Sequence, residues 1–389
     1  AYERRVRLVG AEMCIRDRLY TLLPFTALIR IYHNYSWRIW GSDSGEYLYL
    51  TRSLLNNGQM LEDNYIGWGR AYPDFQGMQI LTGTISLLST IEYHYVLMWI
   101  IPLISSLAIP LLFIIGKELT GFVPALFGSA FYGVTFGVVY ANSHPMPGGL
   151  AETLGFVVLL NWIKVLKDGE IWVINPLKRS GWSNMMKFSF IALLLTHHFT
   201  LLLVMAAIMG ILIVEIAAGN KKIPTEGIMA VGLMSLPISV YWLIYAKSFR
   251  KMLDDSAFDF LPESIPTTIV LTLIPLISLL ILWSLRDKLY LPKWNENISH
   301  DAYLKRTIVS FMGIFIVIMI VLWKGVPGTD IPVDFEATPY LVVNLAIMSL
   351  ACVPTFVMSK RTDGCYGVGY CLLYTSDAAD EGLGVDLGG

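Results

Sequence analysis

The sequence predicts an all-α polytopic membrane protein with about ten transmembrane helices. Three observations carry this prediction: 55% of the 389 residues are hydrophobic, 15% are charged, and the mean hydropathy is +0.58. Soluble domains carry about 25% charged residues, and apolar runs long enough to cross a bilayer recur along most of this chain. The net charge of -2 is spread across the loops, which excludes a basic surface for nucleic acid.

The individual spans follow from the apolar segments. These lie near residues 19–36, 76–91, 95–115, 122–141, 151–166, 186–218, 227–246, 267–285, 307–323 and 340–358. Segment 76–91 is short and rich in Gly, Thr and Ser, so we expect it to lie at the membrane interface. Segment 186–218 would measure about 50 Å as one helix against a hydrocarbon core of about 30 Å. It is therefore predicted to cross twice, with a break near 196–200.

The distribution of charge assigns the loops to the two sides of the membrane. With these spans, Lys and Arg are about twice as frequent in the inside loops as in the outside loops, as the positive-inside rule requires. Acidic residues have the opposite distribution and concentrate outside. We therefore expect a protein of the cytoplasmic membrane whose working face is extracytoplasmic, with membrane lipids around it.

The two ends differ in composition from the remainder. Residues 1–18 and 371–389 resemble translated sequencing-adapter read-through, typical of metagenomic fragments, and are expected to be non-native. The transmembrane domain is predicted over 19–360, with a first external loop over 37–94, and a tail over 361–389. The four cysteines form no C-x-x-C pair, so neither a disulfide framework nor a zinc site is indicated.

Two acids near the start of the first external loop are candidate catalytic residues. Ser42 or Asp43 is suited to cap a helix that begins at about Ser44. Asp43 and Glu46 then lie on one face of that helix. Paired carboxylates suit a divalent cation or a general base, but the same spacing fits an N-cap Asp with a capping-box Glu. Both interpretations stay open at this point.

His197 and His198 form an ionisable pair inside an apolar segment, which makes them a candidate functional site. The predicted topology puts the pair at an external turn, at the level of a lipid phosphate. The alternative is that the two residues only mark a tight interfacial turn.

The order of motifs along residues 19–166 resembles a known superfamily. The acidic turn at Asp43 is followed by a Tyr-Pro-x-x-x-Gly stretch ending at Gly77, a peripheral apolar segment, and a Pro-containing span. Next come a Gly-Lys-Glu-Leu-Thr-Gly turn ending at Gly121, a small-residue span, and a turn from His144 to Glu152. This order resembles the GT-C superfamily of membrane glycosyltransferases, and within it the archaeal and bacterial oligosaccharyltransferase catalytic subunit.

The resemblance implies a function and a set of site residues. It implies a GT-C-like fold with short interfacial helices in the first external loop, and transfer of a sugar from a polyprenyl-phosphate-linked donor to a protein, lipid or glycan acceptor. Asp43 and Glu152 match the family's acids, with Mg²⁺ or Mn²⁺ as the expected cofactor, and Glu336 falls in the place of the acceptor loop. Cations suit the leaving phosphate, and the candidates here are Arg70, His197 and His198.

The chain also departs from the family pattern. Leu150 stands where the second motif usually has an acid, and Asp43 is followed by Ser-Gly-Glu instead of an aromatic residue and His. Three other functions stay open: a single-sugar transferase like the protein mannosyltransferase or aminoarabinose transferase branches, a surface-glycan polymerase or ligase, and a transporter or lipid-carrier flippase.

Overall fold

The structure is a computed structural model whose described residues are helical or lie in turns, with no strand among them. It describes residues 23–32, 34–35, 43–60, 69–120, 122–168, 181–217, 223–255 and separate positions between 269 and 284. The all-helical fold class is confirmed for this part of the chain. Glu336, the segments 307–323 and 340–358, and both suspected ends lie outside the described residues.

The helices follow one another with short connections. In chain order they are α1 (Leu23–Tyr32), α2 (Ser44–Asn57), α3 (Gly77–Ser89), α4 (Tyr93–Glu118), α5 (Phe122–Val134), α6 (Phe136–Ser143), α7 (Pro147–Asp168), α8 (Gly181–Thr196), α9 (His198–Ala217), α10 (Ile223–Val240) and α11 (Lys247–Asp255). A 3₁₀ helix covers Gly69–Asp74, and π-helical turns cover Val96–Ile100 inside α4 and Tyr241–Tyr245 after α10.

Three helices are long and apolar enough to cross a membrane by their length and composition. They are Tyr93–Glu118, Pro147–Leu166 and Glu226–Tyr245. Four shorter apolar helices are Leu23–Tyr32, Ala125–Val134, Asn184–Thr196 and His198–Leu212. These helices indicate a membrane protein, whereas the full set of ten spans stays a prediction.

Two local predictions about the apolar segments can be compared with the structure. α3 has 13 residues, or about 20 Å of helix, which is shorter than a hydrocarbon core of about 30 Å; its interfacial position stays a prediction. The break predicted near 196–200 is confirmed, because α8 ends at Thr196 and α9 begins at His198.

The apolar segment predicted as a span over 122–141 is interrupted at Thr135. Thr135 lies in an extended conformation, with φ -62° and ψ 129°, and separates α5 from α6. Its hydroxyl donates to the carbonyl of Phe131 at 2.8 Å, and the Thr135 N–H donates to the same carbonyl at 2.9 Å; such back-bonding by a Thr side chain often bends a helix. Gly133 and Gly137 on either side also weaken the helix locally.

The chain divides into two compact units. One comprises Ala1–Asp63 and Gly77–Phe156, and the other comprises Asn64–Gln76 and Val157–Gly389. Fully buried apolar side chains form the core of each unit. In the first they include Leu50, Met78, Ile101 and Ile109, and in the second Phe75, Trp162, Leu201, Trp242 and Phe249.

Candidate functional site

Asp43 occupies the N-cap position of α2, as the sequence predicts, but its side chain makes no capping hydrogen bond. The helix starts instead on the backbone carbonyl of Asp43, which accepts hydrogen bonds from the N–H groups of Glu46 at 3.0 Å and Tyr47 at 3.2 Å. The capping explanation for this carboxylate is therefore wrong in this structure. Asp43 and Glu46 are both partly exposed at the start of one helix.

Glu152 lies in the second turn of α7 and is buried, with 9% of its surface exposed. The hydroxyl of Tyr132 donates a hydrogen bond to Oε1. The side-chain amide of Asn142 donates to Oε2 at 3.0 Å. Both carboxylate oxygens are thus engaged by side chains of the two preceding helices.

Arg30, which is not among the predicted site residues, belongs to the same part of the first unit. Its side chain is fully buried in α1, and Nη1 donates to the carbonyls of Thr26 at 3.1 Å and Gly133 at 3.2 Å. Its charge interacts with Tyr132 and Glu152. The signal available in the sequence was a single Arg inside an apolar segment, since intramembrane charges are expensive and usually functional.

Gly149, in the first turn of α7, allows the start of this helix to pack closely against this cluster. A Cβ atom there would lie 2.5 Å from Asn142 Oδ1 and 3.1 Å from Ser105 Oγ, closer than ordinary contacts permit. Thr153, one turn later, donates from Oγ1 to the Ser105 carbonyl at 3.2 Å. The turn that the sequence predicts to be external is therefore packed tightly against polar groups of α4 and α6.

In the second unit, His197 has a defined structural role at the start of α9. Its Nδ1 atom accepts a hydrogen bond from the N–H of Thr200 at 3.3 Å and lies 2.9 Å from the hydroxyl of the same residue. An acceptor at this position satisfies one of the N–H groups that a helix start leaves without an intrahelical partner. His197 therefore caps α9, as expected for a residue marking a tight turn.

The ring of His198 packs among aromatic side chains. Its ring centroid lies 4.4 Å from that of Phe249, 4.9 Å from Phe75 and 5.1 Å from His197. Its Nδ1 atom is buried and has no hydrogen-bond partner among the described residues. His198 thus fills a largely aromatic cluster in this unit.

Asp74 joins this cluster to α11 and was not predicted as a site residue. Its Oδ2 atom accepts a hydrogen bond of 2.8 Å from the N–H of Phe249, in the first turn of α11. The hydroxyl of Tyr241 donates to the Asp74 carbonyl. Burial raises the pKa of the Asp74 carboxyl above its ordinary value, although the N–H groups of Phe249 and Ser248 act in the opposite direction.

The predicted site residues divide between the two units. Asp43, Glu46 and Glu152 belong to the first unit, and Arg70, His197 and His198 to the second. The backbone of Arg70 lies in the 3₁₀ helix Gly69–Asp74, but its side chain lies outside what the structure describes. Within the described part of the chain, no group of three or more His, Cys, Asp or Glu side chains could hold a metal ion.

Comparison with known proteins does not assign a family: no protein-family model and no curated protein matches the chain. Function is therefore inferred from the order of motifs along residues 19–166 and from the contacts of the described residues.

Proposed function

We propose that the protein is an integral membrane glycosyltransferase that moves a sugar from a polyprenyl-phosphate-linked donor to an acceptor on the extracytoplasmic face. The observation that supports this proposal most is the position of Asp43. It starts a helix in the loop after the first apolar segment, and its carboxylate is not used to cap that helix. The acceptor is a protein, a lipid or a glycan.

The chemistry requires two things of the enzyme. The bond between the anomeric carbon and the phosphate oxygen breaks, its electron pair leaves with the lipid phosphate, and the transition state resembles an oxocarbenium ion. An acceptor oxygen or nitrogen forms the new bond to that carbon and must lose its proton. We assign Asp43 as the proton acceptor, with Glu46 one turn along the same helix, because a positioned carboxylate is a competent general base.

The leaving phosphate needs a positive charge. We propose that Mg²⁺ or Mn²⁺ held at Asp43 supplies this charge, because phosphate oxygens pair well with hard cations. We do not assign proton transfer or metal binding to Glu152, since Tyr132 and Asn142 already engage both of its oxygens. Glu336 keeps its proposed place in the acceptor loop.

A transporter or lipid-carrier flippase is the second candidate, and one observation favours it. Arg30 and Glu152 lie buried together beside the interruption at Thr135. Buried ionisable groups and interrupted helices are common at the substrate sites of transporters. This candidate predicts that the sugar stays attached to its lipid carrier.

Transfer and transport can be separated in purified membranes supplied with polyprenyl-phosphate carriers bearing labelled sugars. A glycosyltransferase moves the label from the lipid to an acceptor, whereas a flippase leaves it on the lipid. Asp43→Asn should lower transfer by a factor on the order of 100 to 10,000, as expected for a lost general base. Glu92→Gln is the matched control, because Glu92 is an exposed acid of the same loop. Near-parental transfer by Asp43→Asn would exclude Asp43 as the proton acceptor.

A further inference from the structure

Three polar residues at every fourth position place one face of the first apolar segment against the interrupted segment 122–141. Thr26 and Arg30 lie in α1, and Asn34 lies just beyond it, so all three share a helix face. Arg30 donates to the carbonyl of Gly133, near the end of α5, and Asn34 donates to the carbonyl of Ser143, the last residue of α6. The C-terminal end of each half of the interrupted segment therefore accepts a hydrogen bond from a side chain of the first apolar segment.

The interruption creates the need for these donors. The last carbonyls of a helix have no intrahelical partner, and cations near a helix C-terminus stabilise its dipole. Arg30 supplies both a hydrogen bond and a positive charge at the end of α5. Its Nε and Nη2 atoms have no hydrogen-bond partner among the described residues, so these bonds alone do not compensate the guanidinium charge.

Glu152 is placed to compensate that charge. The Tyr132 hydroxyl holds the carboxylate of Glu152, and Tyr132 precedes Gly133, whose carbonyl holds Arg30. Arg30 and Glu152 are thus attached to adjacent residues of α5, and both are buried. An isolated buried charge is very costly, whereas opposite charges in one buried network compensate each other.

We propose that Arg30 and Glu152 are buried counter-ions that join the first apolar segment, α5 and α7 across the interruption at Thr135. In this arrangement Glu152 is a positioning residue whose charge serves Arg30, and it is not a metal ligand. Glu152 follows the turn from His144 to Gly149, so its hydrogen bonds with Tyr132 and Asn142 hold the C-terminal side of that turn in place. The inference does not depend on the proposed glycosyltransferase activity.

A double-mutant cycle tests the pairing on the full chain in detergent. Glu152→Gln removes the charge but keeps an acceptor for Tyr132, and Arg30→Met removes the guanidinium. Each single substitution should lower Tm by on the order of 5 °C or more, because it leaves one buried charge without its counter-ion. The double variant should melt above at least one of the single variants. Additive losses, or a double variant that folds no better than either single variant, would overturn the proposal.

Two further measurements separate the pairing from a general packing effect and from metal binding. Arg52→Met, at an exposed arginine of α2, combined with Glu152→Gln, should show no rescue; an equal rescue would contradict the pairing. Millimolar Mn²⁺ should shift the Tm of the parent and of Glu152→Gln equally. A stabilisation of the parent by Mn²⁺ that is lost in Glu152→Gln would make Glu152 a metal ligand and reject the assignment.

Discussion

The side-chain amide of Asn34 donates a hydrogen bond of 3.0 Å to the carbonyl of Ser143, which lies 109 residues further along the chain. The same amide donates to the carbonyl of Met98 at 2.6 Å, in the π-helical turn of α4. Asn34 is buried, so the sequence Asn34-Tyr-Ser36 is not an accessible glycosylation site in this fold. One amide thus ties the first apolar segment to two irregular points of neighbouring helices.

Substitutions of Asn34 should reveal this double role. Asn34→Ala should lower the free energy of unfolding by about 1–3 kcal/mol, because buried carbonyls lose their donor. Asn34→Asp should be worse, because it turns a carboxylate towards two carbonyl oxygens. Thermal unfolding in detergent measures both effects. An Asp variant as stable as the Ala variant would contradict the assigned donor role.

Gly133 allows the close approach of α1 to α5. A Cβ atom at this position would lie 2.7 Å from Thr26 Cγ2 and 3.3 Å from Ile109 Cδ1. Gly133→Ala should therefore cost about 1–3 kcal/mol through overpacking. Thr26→Ser removes the obstructing methyl group and keeps the hydroxyl that donates to Leu23, so Thr26→Ser should recover part of the loss in the double variant. Gly128→Ala, where nothing lies within 4 Å of the new Cβ, is the control.

Asp74 should give the second unit a measurable dependence of stability on pH. Because burial raises the pKa of its carboxyl, the folded protein binds this proton more tightly than the unfolded chain does. The resulting stabilisation is complete below the ordinary value of 3.8 and is lost as the pH rises through the raised pKa. Asp74→Asn keeps the acceptor for Phe249 but cannot ionise. As the pH rises, the parent should therefore lose stability relative to Asp74→Asn.

The control for that experiment is Asp74→Ala, which removes the cap of α11 and should be less stable than Asp74→Asn by about 0.5–2 kcal/mol at every pH, because neither variant ionises at this position. Unfolding curves at a series of pH values from acid to neutral compare the three proteins. A difference in the free energy of unfolding between Asp74→Asn and the parent that stays constant over the whole series would show that burial does not shift the pKa of this carboxyl.

The predicted sidedness can be tested with single cysteines in a cysteine-free background. Arg52→Cys and Gly148→Cys should react with an impermeant thiol reagent added outside cells, whereas Lys117→Cys should not. Gly148 is preferable to Gly149, because a Cβ at Gly149 meets Asn142 Oδ1 at 2.5 Å and one at Gly148 meets nothing within 4 Å. Labelling of Lys117→Cys from outside would reverse the assignment of sides and remove Asp43 from the extracytoplasmic face.

The sequence by itself predicted those features that depend on neighbouring residues. Hydropathy identified the long apolar helices α4 and α7. The small polar residues at 42–44 placed the start of α2, and the polar run at 196–200 located the break before α9. Each of these sequence patterns lies within one or two helical turns of the helix, helix start or break that it predicts. Helix capping and the solvation of apolar side chains depend on residues over that short distance.

Only the tertiary structure revealed the partners of Arg30, Asn34, Asp74 and Glu152. Asp74 caps a helix that begins 173 residues later, and Arg30 bonds a carbonyl 103 residues away. The interruption at Thr135 was not predicted because hydropathy is high on both sides of it. The carbonyls at the ends of α5 and α6 accept hydrogen bonds from Arg30 and Asn34 in another segment, and hydropathy carries no information about such bonds. A buried donor or charge is stable only where packing brings its counterpart within hydrogen-bonding or Coulombic range, and that proximity is a property of the folded chain.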